Sequence, residues 1–289
     1  MMNYDDICRR LARVYDLREA RAIARLVLEE RFSLTLADIL CGKVTQLSSD
    51  DHEELEKIVC RLETSEPVQY VLGQSIFRGR PFRVAPGVLI PRPETAELCQ
   101  WIVETVRSER CIKTATEAPA GLDILDIGTG SGCIAVSLAL DIDDARVTAI
   151  DVSSEALAVA RDNARSLGAR VLFRQLDILA SAPDRKYDIV VSNPPYVCRS
   201  EAESMEENVL LYEPDVALFV PDDDPLLFYR AIASQSGTLL SAGGQLFFEI
   251  NPLFHTQVCE LLRSEGFTAI ESRRDQFGRW RFVSGRKDA

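Results

Sequence analysis

From Leu122 to the C-terminus, short β-branched apolar runs alternate with helical stretches, and this alternation constrains the fold more than any other feature. Strands are predicted at 124–127, 147–151, 171–176, 189–192, 245–250, 268–272 and 279–283. Strand–helix alternation of this kind is the signature of a mostly parallel sheet with helices on both faces, an α/β fold. No helix follows either of the last two runs, so the final strand is expected to return antiparallel as a hairpin partner.

The preceding residues read differently. Ile7, Leu11, Val14 and Tyr15 recur at helical spacing, as do Ala20, Ile23, Ala24, Val27 and Leu28. Thr35 is placed to cap a short helix that Gly42 ends. Ser48 and Ser49, followed by acids, open another helix whose buried face is Leu55, Ile58, Val59 and Leu62. These stripes are the core of a small helical bundle, and no chemistry is visible in it. Ile76-Phe77 and Pro81-Phe82-Arg83-Val84 flank Gly79, which predicts a hairpin, and Val88-Leu89-Ile90 runs into Pro91 and Pro93. The expected partition is a helical domain over 1–75, a hairpin connector over 76–92 and an α/β domain over 93–289. A helix is expected from 94 to about 106, followed by a polar stretch from 108 to 121.

Charge and cysteine usage exclude several classes. The net charge is −12, whereas a chain that grips a nucleic-acid backbone unaided needs a basic face. The basic residues Arg78, Arg80, Arg83 and Arg92 do cluster in 76–92, where no acid occurs. A protein or small-molecule substrate is the better expectation. None of the eight cysteines forms a C-x-x-C pair and only His52 and His255 could join them, so no metal site is expected. Scattered reduced thiols, a charged N-terminus and no apolar run near the ~18 residues of a membrane span point to a cytoplasmic protein.

The first strong strand of the alternating region ends in Leu125-Asp126-Ile127-Gly128-Thr129-Gly130-Ser131-Gly132-Cys133 and opens a helix. Glycines there permit a tight turn and let a ligand approach main-chain N–H groups at the helix start. Dinucleotide sites need G-x-G-x-x-G, and the third position of that pattern is Cys133 here. The spacing instead resembles the first motif of Rossmann-like S-adenosylmethionine methyltransferases. Asp151 ends the next strand, where a carboxylate can accept both ribose hydroxyls of a nucleotide cofactor. Asp177 resembles the acid that meets the adenine amine in this superfamily, with Ile178 lining the adenine slot.

The fourth strand runs into Asn193-Pro194-Pro195-Tyr196. Two prolines fix the backbone and hold Asn193 at the carboxyl end of the sheet, where such folds bind ligands. An amide or aryl-amine nitrogen is a poor nucleophile because its lone pair is delocalised. Acceptance of its two N–H bonds by the Asn193 side-chain oxygen and the Pro194 carbonyl would aim that lone pair at a methyl donor and favour the developing positive charge. Tyr196 can pack on the planar group.

Taken together, these motifs resemble the protein-(glutamine) methyltransferases that act on bacterial-type peptide chain release factors. The resemblance extends to Glu66-Pro67-Val68-Gln69-Tyr70, Leu89-Ile90-Pro91-Arg92-Pro93-Glu94-Thr95, Glu213-Pro214, Glu249-Ile250 and Gly278-Arg279. It implies a seven-stranded methyltransferase domain joined by a β-hairpin to a small helical substrate-recognition domain. It also implies S-adenosylmethionine as cofactor and the glutamine of a release factor's Gly-Gly-Gln loop as substrate. Gly128, Thr129, Gly130, Ser131, Gly132, Asp151, Asp177, Ile178 and Asn193 then hold the cofactor. Asn193, Pro194, Pro195 and Tyr196 hold the glutamine, with Asn193, Pro194 and Tyr196 carrying the catalysis. The sequence departs from the family at Ala96, a usually acidic position, with Glu97 next to it. The alternatives are methylation of a nucleobase exocyclic amine or of a ribosomal-protein glutamine. The acids Glu201, Glu203, Glu206, Glu207, Glu213 and Asp215 suggest a rim that steers a basic protein partner.

Overall fold

A computed structural model describes residues 2–112 and 121–288. The chain divides into two compact units, Met1–Gln74 with Met205–Tyr212, and Ser75–Ser204 with Glu213–Ala289. The inclusion of residues 205–212 in the first unit is a feature that the partition at residue 75 does not foresee.

The first unit is helical: Tyr4–Leu11, Leu17–Phe32, Leu36–Leu40, Ser49–Leu62, Val68–Leu72 and Glu207–Tyr212. Each of the first four starts on a side-chain cap, from Asn3, Asp16, Thr35 and Ser48, which satisfies N–H groups the helix cannot. Leu11, Ala24, Leu28, Leu55, Val59 and Leu62 are fully buried in one core. The first helix ends at Leu11, so Val14, expected on its apolar face, is exposed. The turn at Val68–Leu72 is five residues long, too short for periodicity to reveal. Within this unit Tyr212 Oη donates to the Thr64 carbonyl at 2.7 Å.

The second unit begins with the hairpin β1 (Gln74–Phe77) and β2 (Arg80–Arg83), whose Phe77 and Phe82 rings meet edge-on at 5.7 Å. Its main strands are β3 (Leu122–Ile127), β4 (Ala145–Asp151), β5 (Val171–Gln175) and β6 (Tyr187–Ser192). A short ribbon pairs β7 (Val197–Cys198) with β8 (Phe219–Val220), and β9 (Leu240–Glu249), β10 (Phe267–Arg274) and β11 (Trp280–Lys287) follow. The seven-stranded sheet has the order β10-β11-β9-β6-β3-β4-β5. Strands β9, β6, β3, β4 and β5 are mutually parallel, and β11 lies antiparallel between β9 and β10. The expected antiparallel return of the last strand is therefore present. Strand β9 starts at Leu240, five residues before its expected start, and the β7–β8 ribbon has only two residues per strand, too few to leave a pattern.

The helix expected from 94 to 106 runs from Pro93 to Ile112, and residues 113–120 of the polar stretch lie outside the described residues. Trp101 on this helix packs edge-on against Phe247 of β9 at 5.2 Å, tying the helix to one face of the sheet. On the other face Tyr229 meets Phe248 at 5.2 Å. Of the hairpin arginines, Arg78 and Arg80 are partly buried and Arg83 is exposed. Arg78 and Arg80 both pair with Asp141, at 2.8 and 2.5 Å, and Arg83 pairs with Asp162. All three find acids within this unit. No described helix is long and apolar enough to cross a membrane.

Candidate active site

The sheet reverses its winding between β3 and β6: the chain goes out through β4 and β5, then returns to the other side of β3. In open α/β sheets the ligand crevice lies at this point, beyond the carboxyl ends of the strands. A cavity of about 240 Å³ lies there. Gly128, Gly130, Asp151, Asp177, Ile178, Asn193, Pro194 and Pro195 all line it, together with Val88 and Leu89 from the segment after the hairpin.

Each part of the glycine loop has a physical cause. The N–H groups of Gly128 and Thr129 donate to the Ile150 carbonyl at 2.9 and 3.0 Å, which folds the loop back over β4. Gly128 has φ +71° and open space where a Cβ would stand, so the backbone there is bare towards a ligand. Gly132 has the opposite reason, because a Cβ would come 3.0 Å from that of Ala160 on the helix Ser154–Leu167. Asn163 on that helix locks the loop to the hairpin. Its Nδ2 donates to the carbonyls of Ser131 and Arg83 at 2.8 and 3.0 Å, and its Oδ1 accepts from Arg83 N at 2.7 Å.

Asp151 accepts from Gly130 N at 2.8 Å and Ser153 N at 2.9 Å, which orients its carboxylate. Burial pushes its pKa up, against these two hydrogen bonds. Asp177 is exposed and accepts from Leu179 N at 2.9 Å, while Ile178 is buried. Thr129, Ser131, Gly132 and Tyr196 do not line the cavity; Thr129 turns inward to donate to Asp126 at 2.6 Å.

Asp126 itself was not singled out in the sequence. It is fully buried, its Oδ2 also accepts from Ala135 N at 3.2 Å, and its Oδ1 has no hydrogen-bond partner among the described residues. Burial raises its pKa to about 7. What fits a nucleotide-like cofactor lies at the cavity itself: the bare Gly128 backbone permits its close approach, and the oriented Asp151 carboxylate offers acceptors for its hydroxyls.

Asn193 is held by residues distant in sequence. Its Nδ2 donates to Thr95 Oγ1 at 3.1 Å, and Thr95 Oγ1 donates to Glu249 Oε2 at 2.7 Å. Glu249 Oε1 accepts from Tyr196 Oη at 3.1 Å. Glu249 is 1% exposed, and burial raises its pKa to about 7 against the Thr95 hydrogen bond and the nearby Arg281 charge. The Tyr196 hydroxyl is pushed up too, chiefly by burial and then by the Glu249 charge. Ser192 Oγ donates to the Ile127 carbonyl at 2.7 Å and sets the end of β6 against β3. The signal for Glu249 was a charge inside the apolar run Leu246-Phe247-Phe248-Glu249-Ile250, and for Asp126 the same within Ile124 to Ile127.

The acidic segment is less uniform than a steering rim requires. Glu201 accepts from Cys198 N and Asn251 Nδ2, Asp215 pairs with Arg199, and Glu213 is buried. Glu203, Glu206 and Glu207 are exposed. Ala96 packs against the core, and its carbonyl accepts from Arg78, while Glu97 accepts from Gln276 N at 3.4 Å.

A doubly covered sheet with a glycine loop after β3, an acid closing β4 and Asn-Pro-Pro-Tyr closing β6 defines an S-adenosylmethionine-dependent methyltransferase. Residues 109–213 match the family described as methyltransferase small domain, and residues 5–73 match the PrmC N-terminal domain. The chain is 44% identical to the release factor glutamine methyltransferase of Bacteroides thetaiotaomicron, across 95% of each chain. It is 40% identical to that of Flavobacterium psychrophilum, across 94% of each. Among solved structures it resembles a methyltransferase from Pyrococcus furiosus, with a TM-score of 0.50 and 15% identity over 84% of this chain and 100% of that one, a likeness of fold. The chain belongs to the release factor glutamine methyltransferase family.

Proposed function

We propose that this protein methylates the side-chain amide nitrogen of the glutamine in the Gly-Gly-Gln motif of peptide chain release factors, with S-adenosylmethionine as methyl donor. The observation that carries the reading is the Asn193 amide: its Nδ2 is taken up by Thr95, which leaves Oδ1 as an acceptor at the cavity that Asp151 also lines.

Bound in that cavity, S-adenosylmethionine supplies an electrophilic methyl group on a positively charged sulfur. Asp151 accepts the ribose hydroxyls on the lone pairs that Gly130 and Ser153 leave free. Gly128 and Gly130 would present the cradle at the cavity, with Thr129, Ser131 and Gly132 shaping the loop behind it. Asp177 and Ile178 flank the adenine. Asn193 Oδ1 and the Pro194 carbonyl would accept the two N–H bonds of the substrate amide, orienting its nitrogen and favouring the positive charge that develops there as the N–C bond forms and the methyl's bond to sulfur breaks, leaving a neutral thioether. The proton leaves to solvent afterwards, when nitrogen is cationic and acidic, so no strong base is required. Pro195 keeps the clamp rigid and Tyr196 backs it.

The test is methyl transfer from labelled cofactor to a purified release factor, with the modified residue located by mass spectrometry. Label on the Gly-Gly-Gln glutamine supports the reading. Label that ribonuclease removes from a lysate, or that resides in a ribosomal protein, overturns it.

A further inference from the structure

We infer that Thr95, locked by Glu249, is a positioning residue that decides which end of the Asn193 amide faces the substrate. The inference rests on the reading that Asn193 Oδ1 is the substrate's acceptor, and it concerns what gives that oxygen its direction.

An asparagine amide has an acceptor end and a donor end of nearly the same shape, so sterics alone do not choose between them. The wrong choice is ruinous here, because an NH2 group turned to the cavity would meet the NH2 group of an incoming amide, donor against donor. Thr95 makes the choice. Its hydroxyl has a single proton, and Glu249 Oε2 takes it at 2.7 Å in a buried contact. A carboxylate can only accept, so the hydroxyl must donate there and can offer only lone pairs elsewhere. Asn193 Nδ2, at 3.1 Å, is thereby the end that turns to Thr95. Oδ1 is left for the cavity.

The direction of the whole chain of hydrogen bonds is thus imposed by one acceptor-only group. Tyr196 Oη, at 3.1 Å, donates to the other oxygen of Glu249 and saturates that side of it. Thr95 and Glu249 are 2% and 1% exposed, so water does not compete for these bonds. Three elements distant in sequence supply the groups: the helix Pro93–Ile112, the end of β6 and the end of β9. Buried charge in a central strand is otherwise expensive, and setting the polarity of an amide is a use that matches where this one lies.

The test is Thr95→Val, which keeps the shape and removes the hydroxyl, alongside Thr95→Ser, which keeps the hydroxyl. Each is made in the full-length protein and also in an Asn193→Ala background, with kcat, release-factor KM, cofactor affinity and unfolding measured. Thr95→Val is expected to lower kcat about tenfold or more with cofactor affinity unchanged, and Thr95→Ser to stay within about threefold of the parent. In the Asn193→Ala background Thr95→Val is expected to add less than about twofold, because its effect passes through the missing amide. Should valine not be accommodated, Thr95→Ala gives the same comparison. A parental kcat in the fully folded Thr95→Val protein, or equal fold losses in both backgrounds, overturns the inference while leaving Asn193 as acceptor. Full turnover in Asn193→Ala overturns the underlying reading instead.

Discussion

Glu213, whose side chain is 1% exposed, receives Arg92 at 2.5 Å and the backbone N–H of Ile90 at 3.1 Å. One carboxylate from beyond β7 thus pins the segment that brings Val88 and Leu89 to the cavity. Replacing Glu213 with Ala strands a partly buried guanidinium and an N–H group. The protein is expected to lose about 2–3 kcal/mol of stability, below the range for a wholly buried pair because Arg92 keeps some contact with water. Cofactor affinity is expected to fall as well. Urea denaturation and calorimetry read the two effects, and unchanged values in both would refute the pinning role.

Removal of the Asp151 carboxylate deletes a charge-assisted acceptor. Asp151→Ala is expected to weaken S-adenosylmethionine binding by about 1.5–3 kcal/mol, or roughly 10- to 100-fold. Equal affinity by calorimetry, or binding of NAD in preference by the parent, would contradict the assignment.

Asn193→Ala is expected to leave cofactor affinity largely intact while turnover on release factor falls at least ~10²-fold, since the oriented acceptor at the charged centre is gone. Turnover within a few-fold of the parent would mean that another group holds the amide.

How much of this site was legible depends on how its residues are spaced. The glycine loop, Asp151 and Asn193 to Tyr196 each sit at a strand end, within runs short enough that turn chemistry and periodicity mark them. Glu249 was marked only as a charge ending an apolar run and Thr95 only as part of a segment opening a helix, and neither mark says that the two meet. They meet 154 residues apart in sequence, and Thr95 reaches Asn193 across 98 residues, a relationship that only the folded sheet creates. The hairpin arginines were legible as charge but not as pairs, because Asp141 and Asp162, which meet them, lie on separate helices.

The Asp126 carboxyl titrates at about 7 in the folded protein against an ordinary value of 3.8. Its contribution to stability is fully present below pH 3.8 and is lost as pH rises towards 7, because the buried neutral form is the favoured one. Asp126→Asn is expected to flatten this part of the stability profile of the cofactor-free protein between about pH 4 and 7. Denaturation curves across that window decide it, and an unaltered slope would count against the burial argument.

Glu249 adds a kinetic consequence. Facing it are Thr95 and Glu94 on the helix Pro93–Ile112, Tyr196 after β6, Arg281 on β11, and the neighbouring Tyr229 and Cys133. Only its anion imposes the amide direction, so kcat at saturating cofactor is expected to fall as pH drops below about 7. Thr95→Val should lose this acid limb. An acid limb of the same position and depth in that variant would show that another group causes it.

Order of synthesis gives the position of Glu249 a last consequence. A nascent chain has made the glycine loop, Asp151 and Asn193 well before β9 exists, and Glu249 pairs in turn with Phe282 on the still later β11. The nucleotide slot can therefore assemble early, while the amide clamp waits for the final strands. A chain interrupted before Trp280 would retain every contiguous motif of a methyltransferase, yet β9 would have an unpaired edge where its buried glutamate needs a wall. Pairing of β9 with β11, and not the contiguous motifs alone, is what walls in the Glu249 carboxylate that directs the clamp.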